Sequence, residues 1–180
     1  MKPLITWLVL LLSGLTAYAT PSEPVTKEDA IAAFREYRRG VKLITAIHSD
    51  LMQASWTATA DKKLEITAQQ KVDYQQARKH LQKSISLNPY FPDAYVFLAN
   101  SYWELENDLQ QTLTHYSKAL EIDPDYDDVI SARGQVLILL KRTADAEKDL
   151  QRLEALESDH ASALREQIAE LKTQRKQSRE

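Results

Sequence analysis

His80-Leu81-Gln82-Lys83-Ser84-Ile85-Ser86-Leu87-Asn88-Pro89 is answered 35 residues later by His115-Tyr116-Ser117-Lys118-Ala119-Leu120-Glu121-Ile122-Asp123-Pro124. After each proline come an aromatic, an acid and a fresh apolar run, Pro89…Asp93-Ala94-Tyr95 and Pro124…Asp128-Val129-Ile130. A recurrence of that length marks stacked supersecondary units, each with an apolar face that its neighbour covers. Within a unit the apolar residues recur at three and four (Tyr95, Leu98, Ala99, Tyr102, Leu105), which is the helical period, while Pro89 and Pro124 close each unit. The expected architecture is all-α: helix pairs laid side by side.

The residue types and their phase resemble the tetratricopeptide repeat, a helix-turn-helix unit of about 34 residues. Tyr95, Leu98, Ala99 and Tyr102 fit the first helix of one repeat, and Thr112, Tyr116, Ala119 and Pro124 its second, with Thr112 where alanine is usual and a turn of one residue within Glu106-Asn107-Asp108. The next unit supplies Ile130, Gly134 and Leu137, then Ala146 and Leu150, with Arg133 where leucine is usual and Glu157-Ser158-Asp159 in place of a closing proline. Ala77, Leu81, Ser84 and Pro89 look like the second helix of an earlier repeat whose first helix does not match the pattern. The resemblance covers roughly residues 68–171 and implies a tetratricopeptide-type α-solenoid with a long N-terminal helix and a C-terminal capping helix. Ala99, Gly134 and Ala146 are expected where paired helices cross closely.

Outside the repeats, Lys2 precedes an apolar stretch from Leu4 to Leu15 and then Ala17-Tyr18-Ala19, the pattern of a secretory signal peptide cleaved after about Ala19. The stretch is shorter than the roughly 20 residues that span a bilayer. No cysteine stands near the cleavage site to take a lipid, and the whole chain contains none, so a soluble protein of a Gram-negative periplasm is expected. Loss of Lys2 lowers Lys+Arg from 23 to 22 against 26 acids, a formal charge of −4 that suits neither a nucleic-acid surface nor a strongly steered cationic partner. The expected organisation is signal peptide 1–19, linker 20–25, amphipathic helix and connection 26–66, repeat domain 67–172 and polar tail 173–180, fraying past Thr173. Thr26 and Asp29 approximate a capping box, and Ala30, Phe34, Tyr37, Val41, Ile44, His48 and Leu51 line one face of the first helix, which should run to about Trp56.

No catalytic constellation emerges. The four histidines, His48, His80, His115 and His160, are far apart, no H-E-x-x-H, G-x-S-x-G or P-loop pattern occurs, and beyond the leader Gly40 and Gly134 are the only glycines. Asp123, Asp125, Asp127 and Asp128 imitate a calcium loop, but Asp128 and Gly134 stand where such a loop needs its glycine and its bidentate glutamate. They read instead as caps for the next helix. No enzyme activity, cofactor or metal is expected.

What remains is binding. The resemblance implies that first helices line a concave groove, placing Val96, Asn100 and Trp103 of one repeat, Ser131, Gln135 and Ile138 of the next, and Arg165 of the capping helix along it. Trp103 is the natural anchor, a large rigid contact with one donor. Asn100 is similar in position to the asparagine with which chaperone-binding members clamp a partner's terminal carboxylate, although Val96 stands where those members carry a cation. Arg35, Arg38, Arg39 and Lys42 gather on one side of the first helix and read as a solvated face, with contact to anionic lipid headgroups or an acidic partner the lesser expectation. The function expected is a periplasmic adaptor that holds a peptide or helix of a protein partner. The alternative is a structural protein that forms homo-oligomers through helix 26–56.

Overall fold

The computed structural model describes residues 24–57 and 65–177, and among these there are seven α-helices and no strand. The leader 1–19 and most of the 57–66 connection lie outside the described residues. The helices are α1 (Lys27–Thr57), α2 (Ala68–Leu87), α3 (Pro92–Glu106), α4 (Leu109–Ile122), α5 (Asp127–Leu139), α6 (Thr143–Ala155) and α7 (His160–Gln177). They pack as antiparallel pairs α1/α2, α3/α4 and α5/α6, and α7 lies across both helices of the last pair as a cap.

Helix α1 is therefore the missing first helix of the first pair. Gly40 makes the pairing possible: a Cβ there would stand 3.0 Å from the Ala77 carbonyl oxygen and 2.9 Å from Leu81 Cγ. Close approach at Gly40 centres the covered arc of α1 on Ala33, Gly40, Ile44 and Ile47, all buried. Phe34 and His48, expected on the core stripe, fall at the edge of that arc, and Phe34 is 51% exposed.

Local signals set the helix ends. Thr67 accepts from the Gln70 amide while the Gln70 side chain accepts from the Thr67 amide, a complete capping box that starts α2. Asp108 caps α4 through the Gln110 and Gln111 amides. Helices α3, α5 and α6 each end in a left-handed residue, Asn107 (φ 52°), Lys141 (φ 59°) and Glu157 (φ 53°). Beyond each, the next amide reaches back to the last turn: Asp108 to the Tyr102 carbonyl, Arg142 to Leu137 and Ser158 to Leu153. The left-handed turn at Glu157 thus does for α6 what Pro89 and Pro124 do for α2 and α4.

Two apolar clusters fill the stack. Ile44, Ile47, Tyr74, Ala77, Leu81 and Leu98 form one between the first pair and α3. Ala99, Tyr116, Ile130, Leu137, Leu153, Leu164 and their neighbours form the other, running into α7. Gly134 serves this second cluster, but against a different helix from the one expected: a Cβ would lie 2.7 Å from Leu164 Cδ2 of α7, not against its paired helix α6. Nor does α7 end at Thr173. It continues to Gln177, where Arg175 donates to Thr143 Oγ1 (2.9 Å) and to the Lys141 carbonyl (2.6 Å).

Candidate interaction groove

The first helices of the last two pairs and the cap, α3, α5 and α7, enclose a depression of about 290 Å3. Its floor is apolar: Trp103 from α3, Ile138 and Leu139 from α5, Leu171 from α7. Its rim is amide-rich, with Gln135 facing Gln167 and Gln174, and Glu170 is the one charged residue in the lining. Trp103 is half-buried, one side packed on the second core cluster and the other on the depression. Leu139, by contrast, is 54% exposed, a large apolar side chain left uncovered beside the indole.

Of the residues expected on a groove, Trp103, Gln135 and Ile138 come together here. The other four are placed elsewhere. Val96 packs against the second core cluster. Asn100 Oδ1 accepts the Tyr116 hydroxyl at 2.6 Å, inside a contact whose burial pushes that phenol up to about 12. Ser131 is buried. Arg165 lies beyond the depression, donating to Glu154 Oε1 (2.8 Å) beside Glu157 and Asp159 at the end of α6. Leu139 and the α7 set Gln167, Glu170, Leu171 and Gln174 were not anticipated. The spacing of that set, i, i+3, i+4, i+7, is a helical face and was visible in the sequence. What it would face was not.

The remaining polar groups bind helices to one another. His48 Nε2 and the Tyr74 hydroxyl both meet Glu104 Oε2, at 2.9 and 2.7 Å, joining α1, α2 and α3. Arg78, largely buried, donates to the Ser101 carbonyl and to Glu106 while its guanidinium lies 4.0 Å over the Tyr102 ring. His115 stacks on the same Tyr102 ring, with centroids 5.5 Å apart, and its Nδ1 has no hydrogen-bond partner. Burial first, and then the Arg78 charge, hold that imidazole below its usual value.

Asp127 and Asp128 form the first turn of α5, where the Asp127 carboxylate accepts the Asp128 amide at 2.9 Å, while the N-cap residue itself, Tyr126, makes no side-chain cap bond. Asp127 also accepts the Ser158 hydroxyl at 2.8 Å and Asp128 pairs with His160 Nε2 at 2.9 Å, so the two fasten the start of α7 to the start of α5. Asp127, Asp128 and His160 bring three ligand-type atoms within 4.8 Å of one another, but Ser158 and the Asp128–His160 pairing already engage them.

Residues 105–168 match the tetratricopeptide repeat family. No curated protein sequence matches the chain. Among solved structures, the first tetratricopeptide repeat domain of human RPAP3 is 18% identical, superposes with a TM-score of 0.60, and the match covers 83% of this chain and 98% of that one. The first such domain of Spaghetti (RPAP3), bound to the HSP90 peptide SRMEEVD, is 19% identical at a TM-score of 0.58, covering 79% and 98%. The Arabidopsis OM64 domain gives 17%, 0.58, 79% and 98%. The described chain is thus an all-α helical repeat of the tetratricopeptide type in fold, and its residues 105–168 match that family's model.

Proposed function

We propose that the chain is an exported protein-interaction adaptor that holds a peptide segment of a partner between α3, α5 and α7. The observation that carries this reading is the apolar floor of Trp103, Ile138, Leu139 and Leu171, with Leu139 left exposed, inside an otherwise polar rim. The Spaghetti domain, of similar fold, is bound to the HSP90 peptide SRMEEVD, which supports a peptide ligand here. The peptide accepted here differs in chemistry. No Lys or Arg lines this groove, so an acidic tail has no counter-charge, whereas an apolar side chain has a floor and a peptide backbone has three glutamine amides. Export to the periplasm is part of this proposal and is supported by the leader pattern at 1–19, with cleavage after about Ala19.

A photocrosslinking residue at position 135 tests the reading in cells. Partners trapped there should be lost when Trp103→Ala or Leu139→Asp is added, with the helical circular dichroism unchanged. Retention of every trapped partner by both variants would remove the groove from the interaction.

A further inference from the structure

Helix α1 carries a second face that the fold leaves uncovered. Ile31, Phe34, Arg35, Arg38, Arg39 and Lys42 follow i, i+3, i+4, i+7, i+8, i+11, the spacing by which a helix normally presents a buried stripe. Here it lies on the side away from Ala33, Gly40, Ile44 and Ile47, which pack on α2, and all six side chains are exposed. Ile31 and Phe34 are each 51% exposed, and the six surround a shallow hollow of about 490 Å3. Phe34 is not loosely attached. Its ring lies 6.1 Å from Tyr37 and 6.3 Å from Phe91, so a supported aromatic stands at one end of a row of cations.

The charge of this stripe is poorly neutralised by the protein itself. Arg39 pairs with Glu36, and Glu36 is shared with His80 of α2. Arg35, Arg38 and Lys42 have no side-chain ion pair among the described residues. The chain as a whole is acidic, so this is a local reversal of sign. The same stripe of a second copy, laid face to face on this one, is a poor occupant, because it would bring the same cations against these. A peptide is poorly served too, since every described residue around the hollow comes from one helix and none of the other described helices supplies a second wall to grip it.

We infer that the outer face of α1 docks on a bilayer surface bearing anionic phospholipid headgroups. Arg35, Arg38, Arg39 and Lys42 meet the phosphates as a plane of charge, and Phe34 and Ile31 enter between the headgroups. No helix among the described residues is long and apolar enough to cross a membrane, so the contact is peripheral. It leaves the groove of α3, α5 and α7 unoccupied and stands independently of what that groove binds.

Purified protein, its N-terminus determined by mass spectrometry, is floated with vesicles of phosphatidylcholine alone and with phosphatidylglycerol mixed in. Binding to the anionic vesicles at low salt should exceed binding to the neutral ones by at least about tenfold and disappear as salt is raised. The triple reversal Arg35→Glu, Arg38→Glu, Lys42→Glu, and the milder neutralisation of the same three residues to Gln, should each bring binding to the neutral-vesicle level with the helical spectrum intact. Equal partition into both vesicles, or undiminished binding by the Gln variant, would overturn the assignment. So would failure to bind either vesicle, including the case in which an acidic helical peptide binds this stripe instead, which would make the occupant a protein.

Discussion

Asp149 is 1% exposed and carries a carboxylate into the core of the last helix pair, where Arg133 meets it with both arms of its guanidinium, Nε donating at 2.9 Å. Arginine at a position that repeats usually give to leucine is therefore half of a buried ion pair. Arg133→Leu should strand the carboxylate and cost about 3–5 kcal/mol, while Arg133→Leu with Asp149→Leu should recover most of the loss, as read from urea unfolding. The departure of Arg133 from the pattern was legible in the sequence, but its partner was not, because Asp149 lies on the next helix and looks like any surface acid. Gly134→Val should cost about 1–3 kcal/mol by driving a branched side chain into Leu164, itself 1% exposed and unable to retreat. A lowered melting temperature with a preserved helical spectrum is the expected result. His115 gives a dependence on pH. Its folded-state value lies below the ordinary 6.5, so across that interval the unfolded chain holds more protons than the native one. Stability should rise with pH through the interval and fall on acidification below 6.5, and His115→Phe, which keeps a ring on Tyr102, should flatten that slope in urea midpoints measured on either side.

At the scale of the element, the helix ends divide into those the sequence announces and those it does not. Prolines 89, 92 and 124 mark where pairs stop and start, with Pro92 in the first turn of α3, and the turn between α3 and α4, two residues (Asn107 and Asp108) where the sequence suggested one, begins at a residue that tolerates left-handed backbone. Lys141 and Glu157 do the same without such a preference, and no residue-type rule would have placed them. Lys141→Gly and Glu157→Gly should therefore each raise stability, by about 1 kcal/mol, while Asn107→Gly should change it less; differential scanning calorimetry distinguishes the two outcomes. Removal of a cap acts in the opposite direction. Thr67→Ala deletes the side-chain half of the α2 capping box, the hydroxyl that accepts the Gln70 amide, and should cost about 0.5–2 kcal/mol, with hydrogen exchange rising first at Gln70.

Taken whole, the described residues form three helix pairs and a cap, in which α3, α5 and α7 line one apolar depression and α1 presents cations on a separate face. The period of 35 made the second and third pairs legible. The first was obscured because α1 carries Gly40 without the flanking residues of the pattern, and its fit to α2 depends on long-range contact with Ala77 and Leu81. The groove was half legible: Trp103, Gln135 and Ile138 follow from phase along α3 and α5, whereas the contribution of α7 depends on how the cap is docked, through Asp127, Asp128 and Arg175. Because Trp103 forms part of the floor, it can report directly on occupancy. With residues 1–19 removed and Trp56→Phe in place, it is the sole indole. The most direct test titrates this single-indole protein with peptides selected on the wild-type chain, following emission alongside calorimetric binding. Saturable blue-shifted emission that vanishes with Leu139→Asp is the predicted result. Calorimetric binding that leaves the Trp103 emission unmoved would place the partner somewhere other than this groove and contradict the account.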